Sequence, residues 1–385
     1  MSDSDYPDMK NVKKILVAKL RHHGDVLLTT PVYAVLGKAF PQAQIHGYIY
    51  EESALLLKEH PHISKIHLYN RGWKKLSLFA RLKKEFTLLK SIRKEQYDLV
   101  INLTEGDRGA LAAWISGAKI KVGIDPGKKG MFGKRKIFTH LSPVCPSPRH
   151  AVERNLDVLR RIGLFPEEQQ KELYLSVSER DRKTTAELTG EGGYLVLHLV
   201  SRWMFKAPSL SFDKTLIELL LKQGERIVLS SGNDRIERER CQELTTAFAG
   251  REVLNLSGET NLKTLGALIE GAEALITVDS LPLHIASVFK TPVVAIFGPT
   301  SEINWGPWNH PSARVVAKSV FCRPCYRNGC GGSRRSDCLD RLEPESVVEA
   351  LYNLKSSPRY EERASLLRRS SSTVPESSTF PSLIK

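Results

Sequence analysis

The sequence predicts an α/β protein of two consecutive open parallel-sheet domains with a cleft between them. Three observations lead there. Strand-length runs rich in Val, Ile and Leu alternate with segments of helical spacing, the pattern of a parallel sheet covered on both faces. The alternation occurs twice, on either side of a polar, glycine-rich stretch at 176–193 (SVSERDRKTTAELTGEGG). The chain of 385 residues, 41% hydrophobic and 26% charged, suffices for two or three domains with substantial cores and excludes coiled-coil, collagen-like and wholly disordered proteins.

The first unit is KKILVAKL (13–20), a strand-length apolar run, then the turn RHHGD, then VLLTTPVYAVLGKAF, whose helical spacing stops before Pro41. Further strands are predicted at 44–50, 64–69, 97–103 and 121–124, with helical segments between them and a helix from Arg149 to about Gly163. The second set begins at YLVLHLV (194–200). It continues with a helix at 212–223, strand 226–231, helix 235–249, strand 253–257, helix 261–270, strand 274–278, helix 282–289 and strand 292–298. The chain thus divides into residues 1–180 and 181–355, leaving 356–385 as a serine-rich tail expected to end in disorder after Arg369.

Lys and Arg outnumber Asp and Glu by 57 to 43, a net charge of +14 that favours nucleic acid, an anionic membrane surface or a phosphorylated substrate as partner. A nucleic-acid-binding protein is the rival class. Against it, the basic residues are spread along the chain and no recognised reading module is present, so no nucleic acid is expected. The apolar runs 194–200 and 293–297 fall far short of the roughly 20 residues that a membrane helix needs. The longer stretch 274–298 is broken by Asp279, His284 and Lys290. The opening MSDSDYPDMKN is acidic where a secretion signal would be basic and then apolar, so a cytosolic location with six reduced cysteines is expected.

No G-x-G-x-x-G follows the first strand and no G-x-x-x-x-G-K-[ST] occurs, which argues against dinucleotide dehydrogenases and P-loop NTPases. The stretch DPGKKGMFGKRK (125–136), with Lys134 and Arg135, reads either as a basic surface loop or as a grip on a phosphorylated acceptor.

Ligands of open α/β sheets gather at the carboxyl ends of strands, so the strand-to-helix turns carry the candidates. Gly24 and Asp25 open a helix after the first strand. A carboxylate there is stabilised as the anion by about 0.3–1 kcal/mol, and is either an N-cap or a reactive group. The turn LVSRWMFKAP (199–208) supplies Ser201, Arg202 and Lys206. A cation there suits a diphosphate leaving group, the alternative being an ordinary surface lysine. In ITVDSLPLHIA (276–286), Asp279 or Ser280 caps a helix, Pro282 lies in its first turn and His284 follows. Free backbone N–H groups at such a helix start suit a diphosphate. His284 either joins them or is a structural buried histidine.

These turns, together with FGPTSEINWGPW (297–308), carry a family resemblance. From about Lys13 to Leu354, and most specifically in RHHGDVLLTTP, SRWMFK, SGETNLKTLGALIEGAEALITVDSLPLHIA and FGPTSEINWGPW, the sequence resembles the lipopolysaccharide heptosyltransferases, glycosyltransferase family 9. The last three segments look most like the heptosyltransferase III branch. The resemblance implies a GT-B fold, two Rossmann-like domains with the acceptor on the N-terminal one and ADP-heptose on the C-terminal one. It implies inverting transfer of L-glycero-D-manno-heptose, without a metal or other cofactor, onto an inner-core sugar of a lipid A-core acceptor. The expected acceptor sugar is a heptose; the alternative is a family member that acts on another acceptor such as Kdo or takes another sugar nucleotide as donor. The cytoplasmic face of a Gram-negative inner membrane is the implied location.

By motif, Asp25 becomes the general base, with Gly24, Lys134 and Arg135 on the acceptor side. Lys206 becomes the cation on the donor diphosphate, with Ser201, Asp279, Ser280, Leu281, Pro282 and His284 around it and Asp234 and Thr260 near the ribose and adenine. Two positions depart from the family pattern. Leu281 stands where many members have Gly, and its side chain is expected to point away. Pro208 stands where a tryptophan is common. A donor-binding protein that has lost turnover is the alternative that Leu281 raises.

Cys322, Cys325, Cys330 and Cys338 form C-x2-C-x4-C-x7-C, readable as a structural zinc site, as reduced packed cysteines or as a redox group. In WKKLSLFARLKKEFTLLKSIRK (73–94), Trp73, Leu76, Phe79, Leu82, Phe86 and Leu89 recur at helical spacing among Lys74, Lys75, Arg81, Lys83, Lys84 and Lys90. The stripe alone predicts a core-facing helix; with these cations it suits anionic lipid, and peripheral contact with the anionic inner membrane is expected.

Overall fold

The computed structural model describes residues 6–371. Two six-stranded sheets, parallel throughout, organise them. The first contains β1 (Lys14–Lys19), β2 (Gln44–Tyr50), β3 (Lys65–Tyr69), β4 (Leu99–Asn102), β5 (Ile120–Ile124) and β6 (His140–Ser142), in the order β3-β2-β1-β4-β5-β6. The second contains β7 (Leu195–His198), β8 (Ile227–Leu229), β9 (Val253–Asn255), β10 (Ala274–Val278), β11 (Val293–Ile296) and β12 (Ala313–Val316), in the order β12-β11-β10-β7-β8-β9. The central strands β4, β7, β10 and β11 are buried at every residue, which is why they read as continuous apolar runs rather than alternating ones.

This is the GT-B arrangement of two Rossmann-like domains, and its topology places the candidate turns. In each sheet the strand order reverses beside the first strand, between β1 and β4 and between β7 and β10. Ligands bind outside the carboxyl ends of strands at such switch points. The RHHGD turn leaves β1, SRWMFK leaves β7, and VDS leaves β10. One apolar cluster joins the domains, running from Ile15 and Ile101 through Leu283 and Ile285 to Val293 and Phe297.

Two expectations need correction. Six strands build each sheet where five were predicted. The additions, β6 and β12, are edge strands of three and four residues with half-buried or exposed positions, too short and mixed to stand out. In the tail, Pro358–Ser371 is helical, and the disorder expected after Arg369 falls on residues that lie almost wholly outside the described part. Tyr360 is buried, and the Arg363 guanidinium donates to the backbone carbonyls of Glu270 and Phe289 and to Thr291 Oγ1 (3.0 Å). Glu270 and Phe289 each end a helix, so one arginine satisfies carbonyls that have no intrahelical partner. Residues 372–385 lie outside the described part.

Second, most of the stripe in the basic segment does not face the core, although Trp73 and Leu89 pack against it. In the helix Leu78–Lys94 only Ile92 is fully buried, while Leu78, Phe79, Leu82 and Phe86 are 70%, 80%, 54% and 68% exposed. The inward face carries Leu88, Leu89 and Ile92, packed into an apolar cluster, and Glu85, which accepts from Tyr69 Oη (2.6 Å) and pairs with Arg81; Phe79 and Phe86 turn outward.

Candidate active site

Each candidate turn follows from a strand that ends while its chain is still buried. β1 runs apolar to Lys19 and breaks at Arg21–His22, and the short helix His23–Leu27 starts with Asp25 in its first turn. His22, not Asp25, occupies the N-cap position, and no side chain caps this helix. The capping role open to Asp25 is therefore not the one it has. Its carboxylate is 13% exposed, with Arg21 Nε at 3.8 Å, and it lines an open pocket of about 120 Å³ together with Lys19, Arg154, Asn155 and Trp305.

From the other domain, Lys206 and Asp279 meet. Lys206 ends the 3-10 turn Met204–Lys206, and its ammonium lies 2.7 Å from Asp279 Oδ2, the two side chains being 19% and 6% exposed. Ser280 holds the N-cap position of the helix Leu281–Phe289 with extended backbone, but its hydroxyl turns toward Val278 O (3.4 Å) instead of capping. The start of that helix keeps amide groups without a side-chain acceptor, a setting that favours an anion. Pro282 is buried in the first turn, and Leu281 packs partly buried against the shared apolar cluster.

His284 joins the two halves. Its ring is 3% exposed and Nδ1 has no hydrogen-bond partner among the described residues. Burial lowers its pKa to about 4; Asp279 and Asp25 pull upward and Lys206 downward. The ring therefore senses the base candidate of one domain and the ion pair of the other, and is neutral near pH 7. A Cβ on Gly24 would lie 3.0 Å from His284 Cδ2, so only glycine permits this approach without displacement. His22 and Trp203, from opposite domains, also approach edge to face with centroids 6.2 Å apart.

Of the remaining donor-side candidates, Ser201 is buried and accepts from the Trp203 amide (3.3 Å). Asp234 caps the helix Arg235–Ala247 through the Ile236 amide (3.0 Å), and Thr260 Oγ1 is buried without a partner. The acceptor-side pair behaves otherwise. Lys134 is 4% exposed and spends its ammonium on Glu105 O and on Asp107 (3.1 Å); Arg135 is exposed and pairs with Asp125 at 3.0 Å. Neither lines the pocket beside Asp25, whose cations are Lys19, Arg21 and Arg154. The sequence reading missed those three because they come from β1, the loop after it and a distant helix.

The four clustered cysteines do not form a ligand set. All are free thiols; Cys322 and Cys330 are exposed, whereas Cys338 is turned into the apolar core with Leu339 and Leu342. Among the described residues, three potential ligand atoms come within 4.8 Å of one another at His46, His67 and Glu95. These are already engaged: Tyr97 Oη lies 2.7 Å from His46 Nδ1 and 2.8 Å from His67 Nε2, and Glu95 pairs with Lys14 and Lys65.

Comparison with known proteins bears on the family and the fold. The profile of glycosyltransferase family 9 (heptosyltransferase) matches residues 85–333. The chain is 33% identical to lipopolysaccharide heptosyltransferase 3 of Escherichia coli K12 over 338 residues, covering 87% of this chain and 96% of that protein. Among solved structures it is similar to a family 9 glycosyl transferase from Veillonella parvula (TM-score 0.75, 23% identity, 89% of this chain and 97% of that one). It is also similar to E. coli heptosyltransferase WaaC with ADP (TM-score 0.69, 20% identity, 89% and 99%).

Proposed function

The chain belongs to glycosyltransferase family 9, the heptosyltransferases, and on that premise we propose that it transfers heptose from ADP-heptose to an inner-core sugar of lipopolysaccharide, a heptose in particular. The likeness to heptosyltransferase 3 over most of both chains supports the choice of acceptor. The observation that carries the mechanism is the meeting of Asp25 and the Lys206–Asp279 pair around one buried, neutral His284.

In this mechanism Asp25 accepts the proton of the acceptor hydroxyl, and the oxygen attacks the anomeric carbon of the donor from the face opposite the diphosphate. The bond from that carbon to the phosphate oxygen breaks, and ADP departs with its electron pair. Lys206 and the uncapped amides at the start of the helix Leu281–Phe289 receive the developing charge, while Asp279 fixes the lysine. Ser201, Asp234 and Thr260 complete the nucleotide side.

Membrane contact belongs to the same reading. No helix among the described residues is long and apolar enough to cross a bilayer. The outward Phe79, Leu82 and Phe86, flanked by Lys83, Lys84 and Lys90, form an amphipathic surface suited to an anionic leaflet from which a lipid-anchored acceptor is presented. The proposed location is accordingly the cytoplasmic face of the inner membrane.

The test is incubation of purified protein with ADP-heptose and a series of truncated core acceptors, with products weighed by mass spectrometry. Addition of one heptose mass to an acceptor that ends in heptose is the expected result. Exclusive use of a Kdo-terminated acceptor, or of a different sugar nucleotide, would replace the assignment.

A further inference from the structure

The segment that carries the four clustered cysteines is fastened to the second domain at two loops. Arg323 Nε donates to Gly298 O (2.6 Å), its guanidinium pairs with Glu302 at 3.0 Å, and the amides of Cys325 and Tyr326 both donate to Pro299 O (3.1 and 2.9 Å). These bonds tie the segment to the loop after β11. A further bond reaches the turn after β7. Ser336, 4% exposed, donates its hydroxyl to Phe205 O at 2.7 Å, across 131 positions of sequence. Ser336 holds the N-cap position of the short helix Asp337–Asp340, where a serine hydroxyl ordinarily accepts from an amide of the first turn. Here it makes no cap bond and serves Phe205 instead.

The Phe205 carbonyl lacks a donor of its own. In and around the 3-10 turn Met204–Lys206 the bonds run three residues back, from the Lys206 amide to Trp203 O (2.8 Å) and from the Ala207 amide to Met204 O (3.0 Å). The next in the series would come from residue 208, and Pro208 has no N–H to give. Proline also holds the residue before it extended, and Ala207 accordingly stands at φ −96° and ψ 142°, which ends the turn directly after Lys206. Among the described residues the Ser336 hydroxyl is the donor that Phe205 O receives in its place. Beyond the turn, Pro208 O accepts from Arg240 Nη2 (2.8 Å), whose guanidinium is paired with the fully buried Asp213. Lys206 therefore lies between two tethered carbonyls, and the tether on the Phe205 side comes from outside the turn.

We propose that Ser336 is a positioning residue for the donor cation: its hydroxyl holds the Phe205 carbonyl, fixes the proline-ended turn and so keeps the Lys206 ammonium aimed at the donor diphosphate. This rests on the reading above in which Lys206 receives that diphosphate. Asp279 fixes the ammonium end of the side chain and Ser336 the backbone end. Ser336 acts through the backbone of the turn and exchanges no proton or bond with the substrate. The segment Cys322–Cys338 then serves as a buttress that joins the turn after β7 to the loop after β11.

Titration calorimetry of ADP into wild type, Ser336→Ala, Lys206→Met and the double variant tests this. Ser336→Ala should weaken the ADP Kd by about fivefold, the worth of one neutral hydrogen bond, and raise the donor KM by a like factor with the acceptor KM within about twofold. Added to Lys206→Met, the same change should weaken the Kd by less than about twofold, because the group it aims is gone. Ser336→Thr, which keeps the hydroxyl, should bind ADP within about twofold of wild type, whereas Ser336→Val, of the same shape without it, should match Ser336→Ala. A serine that only supported the fold would lower the melting temperature and leave the Kd alone. An unchanged Kd in Ser336→Ala, an equal loss in the Lys206→Met background, or equal affinities of the Thr and Val variants would overturn the proposal. Should Lys206→Met itself leave ADP affinity unchanged, the diphosphate reading fails and takes the proposal with it; a loss in Lys206→Met alone overturns only the role of Ser336. If melts by circular dichroism show that Ser336→Ala misfolds, the Thr and Val pair carries the test.

Discussion

Replacing Lys206 by Met leaves the Asp279 carboxylate, 6% exposed, without its counter-charge at 2.7 Å. Breaking a buried pair from one side costs about 3–5 kcal/mol, because the remaining charge stays desolvated. Lys206 retains 19% exposure, which puts the expectation near the lower end, about 3 kcal/mol. At about 2–4 °C per kcal/mol for domains of this size, the melting temperature should fall by about 6–12 °C. Asp279→Asn should cost a similar amount, and the double variant Lys206→Met with Asp279→Leu should regain most of it, since neither charge then remains buried. The same melts read the functional role. ADP at 100 times its Kd stabilises the wild type by about 2.7 kcal/mol; a hundredfold weaker Kd in Lys206→Met would leave about 0.4 kcal/mol. Scanning calorimetry of the four proteins with and without ADP gives both numbers. Additive single effects would refute the buried pair, and an undiminished ADP shift in Lys206→Met would remove the lysine from the diphosphate.

Asp25→Asn should abolish transfer while ADP affinity, by calorimetry, stays within a few-fold; undiminished turnover would remove the aspartate as base. Gly24→Ala sets a methyl 3.0 Å from His284 and should lower kcat by about tenfold through displacement of the ring, with Gly24→Val worse; unchanged kinetics in both would dissolve the interdomain contact. His60, His67, His198 and His284 each sit with a pKa lowered to about 4 by burial, so the unfolded chain binds more protons between pH 4 and 6.5. Stability should be flat from pH 7 to 8 and fall as pH drops from 6.5 to 5, by up to about 2 kcal/mol per histidine, measured as urea midpoints. Phe79→Ser with Phe86→Ser should weaken sedimentation with anionic vesicles by at least about tenfold and leave turnover of a soluble truncated acceptor unchanged. Equal binding to neutral and anionic vesicles would count against the charge half of that reading.

What was legible in the sequence followed from burial. β1, β4, β7, β10 and β11 lie inside their sheets and show as apolar runs, and a strand, turn and helix in succession marked Asp25, Lys206 and Asp279. Edge strands β6 and β12 carry no such signal, being short and partly exposed. Charge was the poorest guide, because a cation's purpose depends on what lies beside it in space. Lys134 reads as a surface grip but is buried on Asp107 and Glu105, whereas Lys19 reads as the end of a strand and faces the pocket. The outward stripe of the helix Leu78–Lys94 has the same spacing as an inward one; the burial of Ile92, the packing of Leu88 and Leu89 and the Tyr69–Glu85 contact mark which face turns in.

Two carboxylates act electrostatically on His284, and their surroundings separate the roles proposed for them. Asp279 is bound to an ammonium at 2.7 Å and nearly sealed, so its oxygens are committed and it makes a poor proton acceptor. Asp25 has a half-exposed guanidinium at 3.8 Å and opens onto the pocket that Lys19 and Arg154 also line. A base needs a free oxygen where the hydroxyl arrives, and a leaving diphosphate needs a fixed cation; each domain supplies one of these. A protonated His284 would attract both carboxylates and blur that division, whereas the neutral ring enforced by burial leaves Asp25 able to take a proton and Asp279 free to hold Lys206. On the proposed mechanism, the closeness of Gly24 to that ring would register the proposed base against the donor side.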